Sequence, residues 1–147
     1  MEPRYTQFRQ ERAAQLRQLT AADLAAAVRA LGGVQRLPRI RYHFAQHGRD
    51  LGATSIEEYD GAFRLHLAQA DLRIFSYLRA RDRVPFWELV DPVNGRTVLY
   101  NEEVREAWSF FQPSDPAAPY RNAEGWWVEV VPGPTNWQIE EQWRWHR

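Results

Sequence analysis

Residues 74–100 read IFSYLRARDRVPFWELVDPVNGRTVLY, and this stretch decides the fold. Side chains alternate in character from Ile74 to Leu78, with the period of two that is typical of a β-strand. Val84 to Val90 has the composition of a second strand. Asn94-Gly95 is a strong signal for a tight hairpin turn, so we expect Arg96 to Tyr100 to return as a third, antiparallel strand.

The flanking sequence predicts helices before these strands and one more strand after them. Residues 5–31 have helical spacing of apolar side chains, with a capping box at Thr20 and Asp23 that restarts the helix. Ser55 is predicted to cap a further helix. Trp108 to Phe111 is predicted to supply a fourth strand or a packed apolar edge. The order predicts an α+β fold with N-terminal helices packed on an antiparallel meander of about four strands.

The last part of the chain is predicted to be an extension rich in tryptophan. Residues 112–122 have loop composition, Trp126 to Val131 is predicted as a strand, and residues 136–147 suit either strand or helix. We expect a single domain over 1–147, divided into a helical part (1–35), a core (36–113) and this extension (114–147).

Composition excludes several classes of protein. There is no cysteine, which removes disulfides, thiolate nucleophiles and cysteine metal sites. No apolar run approaches the roughly 20 residues that cross a bilayer, and the N-terminus has no signal-peptide pattern. We therefore expect no membrane association and a cytoplasmic location, with delivery as part of a larger secreted toxin as a compatible route.

The charge is unevenly distributed although the net charge is zero. All 19 basic residues are arginine. Residues 1–83 hold 14 arginines and 9 acids, whereas residues 84–147 hold 5 arginines and 10 acids. A basic half of this kind suits an anionic partner, because arginine forms forked hydrogen bonds with phosphate.

His43 and His47 are four residues apart, so a helix would place both rings on one face. That spacing suits metal ligands, but Phe44 stands where a zinc peptidase carries glutamate and no third ligand is evident, so we predict no metal and no cofactor. The same pair suits acid–base chemistry, because histidine titrates near neutral pH. Arginines on the nearby strands would then stabilise developing negative charge on a phosphate.

Five segments between Tyr42 and Pro113 carry a resemblance to a known superfamily: His43-Phe44-Ala45-Gln46-His47-Gly48, Ser55-Ile56-Glu57-Glu58-Tyr59, residues 72–79, Trp87-Glu88-Leu89-Val90-Asp91-Pro92 and residues 94–101. This half of the chain resembles the barnase/EndoU/colicin/RelE-like ribonuclease domains of bacterial polymorphic toxins and phage proteins. The resemblance implies metal-independent cleavage of RNA. It also implies a neutralising immunity or antitoxin protein as a partner.

The resemblance also implies which residues form the site. Catalytic residues would be His43, His47, Arg79, Arg96, Thr97 and Tyr100, and the substrate would be bound by Arg41, Arg73, Arg81 and Arg83. Ribonuclease toxins are often rich in lysine, whereas this chain has none. The tryptophan-rich extension has no counterpart in the superfamily.

Two other classes of function remain open on the sequence. A non-catalytic interaction module would use the tryptophans of the extension as its partner-binding surface, namely Trp126, Trp127, Trp137, Trp143 and Trp145. A toxin that transfers ADP-ribose from NAD could also use an arginine and aromatic cleft. Core packing is the simpler explanation for the tryptophans.

Overall fold

A computed structural model describes residues 3–18, 22, 37–69, 71–132 and 137–139. The helices are α1 (Pro3–Gln18), α2 (Ile40–His47), α3 (Ile56–Leu67) and α4 (Ala118–Ala123), with a short 3-10 turn at Arg49–Leu51. The strands are β1 (Arg73–Leu78), β2 (Pro85–Val90), β3 (Thr97–Asn101), β4 (Glu106–Phe111), β5 (Val128–Pro132) and β6 (Trp137–Ile139). The α+β class is confirmed, as is the prediction that N-terminal helices precede the strands.

All strands belong to one antiparallel sheet with the order β4-β3-β2-β1-β5-β6. The expected meander forms four of the six strands of this sheet, β1 to β4. The predicted meander of about four strands is confirmed, and β5 and β6 of the extension join the free edge of β1. Val128 and Val130 of β5 are buried there, so the extension completes the sheet and its core.

Local sequence signals account for the turns and caps around α3 and the central hairpin. The Ser55 hydroxyl accepts a hydrogen bond from the Glu58 N–H at 3.1 Å, and the Glu58 carboxylate accepts one from the Thr54 N–H at 2.7 Å. This pair is a variant of the capping box in which the Glu58 carboxylate binds the residue before the N-cap. In the hairpin, Gly95 has a φ of 79°, a conformation that would be strained for a residue with a side chain. A Cβ at this position would also lie 2.7 Å from Pro116.

The helices α1 to α3 cover one face of the sheet. Tyr59 and Phe63 of α3 are fully buried against Phe110 of β4, and the Tyr59 hydroxyl donates to the Phe110 carbonyl at 2.5 Å. His66 Nε2 lies 2.9 Å from the Leu89 carbonyl of β2. Two strands thus hold α3, and α3 in turn supports α2, because Phe44 packs edge-on against Tyr59.

A buried arginine joins α1 to the same face. Arg12 is 2% exposed, and its Nε donates to the Ser76 hydroxyl at 2.8 Å. Its two Nη atoms donate to the Glu102 carboxylate at 3.2 and 2.6 Å. Its guanidinium carbon lies 5.6 Å from the centre of the Trp87 ring. The buried guanidinium charge is therefore paired with a carboxylate and hydrogen-bonded, as the burial of an arginine requires.

The other face, called here the outer face, is covered on its β1 side by α4 and by aromatic side chains. Trp127 stacks on Tyr77 with 4.1 Å between ring centroids, and Tyr120 of α4 packs on Phe75 at 5.4 Å. The interpretation of residues 112–122 as a loop is wrong for α4, which forms because Tyr120 and Ala123 pack on this aromatic cluster. The restart of the N-terminal helix at Thr20 and Asp23 lies outside the described residues.

Candidate functional site

His43 and His47 form a parallel pair of imidazoles on one face of α2. Their ring centroids are 6.0 Å apart and the ring planes differ by 15°. Burial lowers the pKa of His43, and the charges of His47 and Arg39 lower it further. Burial also lowers the pKa of His47, and the nearby Asp50 carboxylate opposes that shift. Both rings are therefore mostly neutral at pH 7 and able to accept a proton.

The pair is the centre of a row of four rings, called here the aromatic row: Tyr42, His43, His47 and Phe111. Tyr42 meets His43 edge-on at 5.3 Å, and His47 packs on Phe111 at 5.9 Å. Phe111 ends β4, so the row runs from the start of α2 to the edge of the sheet. Tyr42 is 50% exposed, whereas His43 is 9% exposed and its Nδ1 is buried without a hydrogen-bond partner among the described residues.

Arg96 lies at the same corner of the molecule. Its Nη2 donates to the Leu51 carbonyl at 3.2 Å, in the 3-10 turn that follows α2. Thr97, the next residue, is opposite Phe111 in the register of β3 and β4. Arg96 Nε is buried and has no hydrogen-bond partner in the described part of the chain. We call this region, where α2, the Leu51 turn and the Thr97–Phe111 pair meet, the histidine corner.

Thr97 and Tyr100, two of the predicted site residues, are buried in the fold and are not exposed to solvent. The Thr97 side chain is 1% exposed, and its hydroxyl donates to the Gly95 carbonyl at 2.9 Å. Tyr100 is 4% exposed and belongs to the core between sheet and helices. Neither hydroxyl is presented to a substrate in this conformation.

Arg79 lies at the opposite end of the sheet from Arg96. It follows β1 and forms two hydrogen bonds with the Asp82 carboxylate, at 3.0 and 2.6 Å. Its guanidinium lies over the rings of Phe86 and Trp108. The length of β3 separates the two ends, which is roughly 15 Å for a strand of this size. The structure therefore joins Arg96 to the turn that follows α2, the helix of His43 and His47, and it leaves Arg79 at the far end of the sheet.

Three of the four predicted substrate-binding arginines have acidic partners. Arg73 pairs with Glu129, Arg81 approaches Asp82 at 3.8 Å, and Arg83 approaches Glu11 at 3.7 Å. Arg41 is exposed, but it lies two residues from His43, and therefore about 200° around α2 from that ring. Three of the four therefore have acidic partners, and Arg41 lies on a different side of α2 from His43.

The cationic surface is instead on the segment around α2. Arg39, Arg41 and Arg49 form no ion pair with any acid within the described residues, whereas the arginines near β1 do. Arg39 was not predicted as a site residue. Its charge is near enough to His43 to lower the pKa of that ring, and helical spacing does not reveal this, because Arg39 precedes α2 in a left-handed conformation.

Sequence reasoning also missed Glu88. This residue lies in β2 on the outer face, and its Oε2 accepts a hydrogen bond from the Tyr77 hydroxyl at 3.0 Å. Burial raises the pKa of Glu88 from 4.5 to about 7. The alternating pattern of β2 assigns Glu88 to a face of the sheet, but it does not show that aromatic side chains cover much of that face.

The tryptophans of the extension are only partly described. Trp127 is 6% exposed and belongs to the outer aromatic cluster, and Trp126 packs edge-on against Tyr77 at 5.6 Å. Packing therefore accounts for these two rings. The strand β6 begins at Trp137, whose side chain is outside the described set, as are Trp143 and Trp145.

No protein-family model matches the chain, and no curated protein or solved structure is significantly similar to it. No helix among the described residues is both long enough and apolar enough to span a membrane. The described side chains also contain no group of three or more histidines and acids arranged to hold a metal ion.

Proposed function

We propose that this protein is a metal-independent endoribonuclease that acts at the histidine corner. One observation carries the proposal: two parallel imidazoles lie on α2, and Arg96 donates a hydrogen bond to the turn that follows this helix. Metal-independent RNA cleavage requires a proton acceptor, a proton donor and a cation for the phosphorane charge. The resemblance to ribonuclease toxins in this half of the chain points to the same reaction.

In the proposed reaction, a base removes the proton from an RNA 2′-hydroxyl and the oxygen attacks the adjacent phosphorus. The bond to the 5′-oxygen breaks, and an acid donates a proton to that oxygen. The products are a 2′,3′-cyclic phosphate and a 5′-hydroxyl, so no metal or cofactor takes part. Arg96 would contact the non-bridging oxygens, whose charge increases in the transition state.

The electrostatics of the pair suggest which histidine has which function. The Arg39 guanidinium and a positive charge on His47 both disfavour a positive charge on His43. His43 therefore suits the function of the base. The Asp50 carboxylate favours a positive charge on His47, so His47 suits the acid. Neighbouring groups with opposite influences are how enzymes separate an acid from a base.

The surrounding charge suits a polyanionic substrate. Arg39 and Arg49 flank the pair at the two ends of α2, and neither is neutralised by an acid within the described residues. Phosphates of a bound RNA would replace water and counterions around them. A nuclease that acts in the cytoplasm would also require a neutralising immunity or antitoxin protein in the cell that makes it.

The test is cleavage of a single-stranded RNA in the presence of EDTA, with products analysed for a 2′,3′-cyclic phosphate. We expect His43→Ala and His47→Ala each to lower the rate by about 10² to 10⁴, the usual contribution of a general acid or base. Arg96→Ala should lower it by about 10² to 10³. Arg79→Ala is the matched control, because that arginine lies at the other end of the sheet, and its rate should equal that of the wild type.

Three results would contradict this assignment. The wild type could fail to cleave RNA, the double variant His43→Ala/His47→Ala could cleave as fast as the wild type, or Arg79→Ala could be as slow as Arg96→Ala. Expression in a bacterial host gives an independent measurement. The wild type should arrest growth and degrade cellular RNA, and the double variant should not.

A further inference from the structure

Tyr42 is an exposed aromatic ring held beside the histidine pair by polar neighbours. It is 50% exposed, and the Arg39 guanidinium carbon lies 4.6 Å from the centre of its ring. Its ring meets the His43 ring at an interplanar angle of 79°. An isolated exposed tyrosine would need no explanation. This one is fixed between a cation and a candidate catalytic ring.

The backbone at Arg39 supports the view that this arrangement is specific. Arg39 caps α2 with φ 57° and ψ 41°, a left-handed conformation that an arginine adopts only with strain. Its guanidinium lies over the Tyr42 ring, and no acid among the described residues pairs with it. Strained residues are maintained where the surrounding structure requires them, often at binding sites.

We infer that Tyr42 and Arg39 form a stacking subsite for one base of a single-stranded RNA, next to the scissile phosphate. This inference rests on the proposed function and extends it to substrate binding. Every base has a flat face that stacks on an aromatic ring, and a guanidinium contributes to such stacking and to phosphate binding. Because Tyr42 contacts His43 directly, a base stacked on it belongs to a nucleotide at the cleavage point.

The occupant is assigned from charge and shape. An apolar protein partner would favour an uncharged patch, whereas this ring lies against the Arg39 guanidinium and the His43 imidazole. Between positions 39 and 49 there is no acidic residue, and the basic residues are arginine and histidine. A ligand with a planar ring and adjacent negative charge meets both features, and a nucleotide of RNA has both.

The experiment measures binding separately from cleavage. Fluorescein-labelled 2′-O-methyl RNA cannot be cleaved, because it lacks the attacking hydroxyl, and its anisotropy reports binding to the full chain. We expect Tyr42→Ala to weaken binding by a factor of about 5 to 150, the range for loss of one stacked base. Tyr42→Phe should bind as the wild type does, which also controls for a folding defect.

Arg39 has a matched control on the same helix. Arg39→Ala should weaken binding and lower the slope of log affinity against log salt by about 0.7, as loss of one phosphate contact to a single strand does. Arg41→Ala removes an equally exposed arginine that lies away from His43, and it should change affinity less than Arg39→Ala. A set of short probes, each of which lacks the base at one position, identifies the stacked base. The probe that lacks this base should bind to the wild type and to Tyr42→Ala with equal affinity.

The outcomes separate this inference from the proposed function. If the wild type binds the probe through Tyr42 but cleaves no RNA, the ribonuclease assignment fails and the subsite stands. If the wild type cleaves RNA and Tyr42→Ala binds the probe as tightly, the subsite is wrong. The subsite is also wrong if the wild type does not bind the probe at all.

Discussion

Glu88→Gln tests how the outer face of the sheet responds to pH. The carboxyl group of Glu88 lies between Phe75 and Leu99 in the strand register, and Tyr77 donates to it at 3.0 Å. Burial raises its pKa from 4.5 to about 7. The carboxyl group is then protonated in the folded chain and ionised in the unfolded chain between these two values.

The sign and size of the effect follow from proton linkage. Since the folded state binds one proton more than the unfolded state in this window, the free energy of unfolding falls as pH rises. A shift from 4.5 to about 7 corresponds to about 3 kcal/mol at 1.36 kcal/mol per pKa unit. The stabilisation is fully present below pH 4.5 and is lost once the pH has risen above 7.

The assay is urea unfolding of wild type and Glu88→Gln from pH 4.5 to 8. We expect the variant to gain about 3 kcal/mol relative to the wild type across this range, because glutamine does not ionise. Histidine titration occurs in both proteins and cancels in the difference.

Glu58→Gln is the control with the opposite sign, because hydrogen bonds from Thr54 lower the pKa of Glu58. Glu58 stabilises the fold above its unfolded pKa and loses that effect on acidification. A constant difference between Glu88→Gln and the wild type at every pH would refute the reasoning on Glu88.

Two further predictions concern α1 and the histidine corner. Arg12→Ala removes the cation that pairs with Glu102 and one hydrogen bond to the buried Ser76 hydroxyl, while Trp87 still donates to Glu102, and we expect a loss of about 1 to 3 kcal/mol in urea unfolding. A loss below 1 kcal/mol would show that the pair is not buried in solution. The pH optimum of RNA cleavage should lie below 6.5, since the pKa of each histidine of the pair is lowered from that value. Asp50→Asn should move the optimum to still lower pH, because it removes the carboxylate that favours charged His47; an unchanged rate profile would contradict the assignment of His47 as the acid.

Local signals predicted most of the fold. The Ser55 cap and the Asn94-Gly95 turn act within a few residues, so their sequence is sufficient to identify them. Alternation over residues 74–78 likewise identified β1. The position of β5 beside β1 could not be predicted, because any strand with a buried apolar face can pair with that edge and the choice depends on the whole sheet.

The sequence by itself determined the histidine pair, since a spacing of four on a helix places His43 and His47 on one face whatever surrounds it. Only the tertiary structure decided which arginine accompanies them. Arg79 and Arg96 both flank strands of the meander and are equivalent as sequence. Antiparallel pairing puts them at opposite ends of the sheet, and only Arg96 reaches the turn after α2. Pairing partners and strand ends are long-range properties, so the site depends on contacts that no local pattern contains.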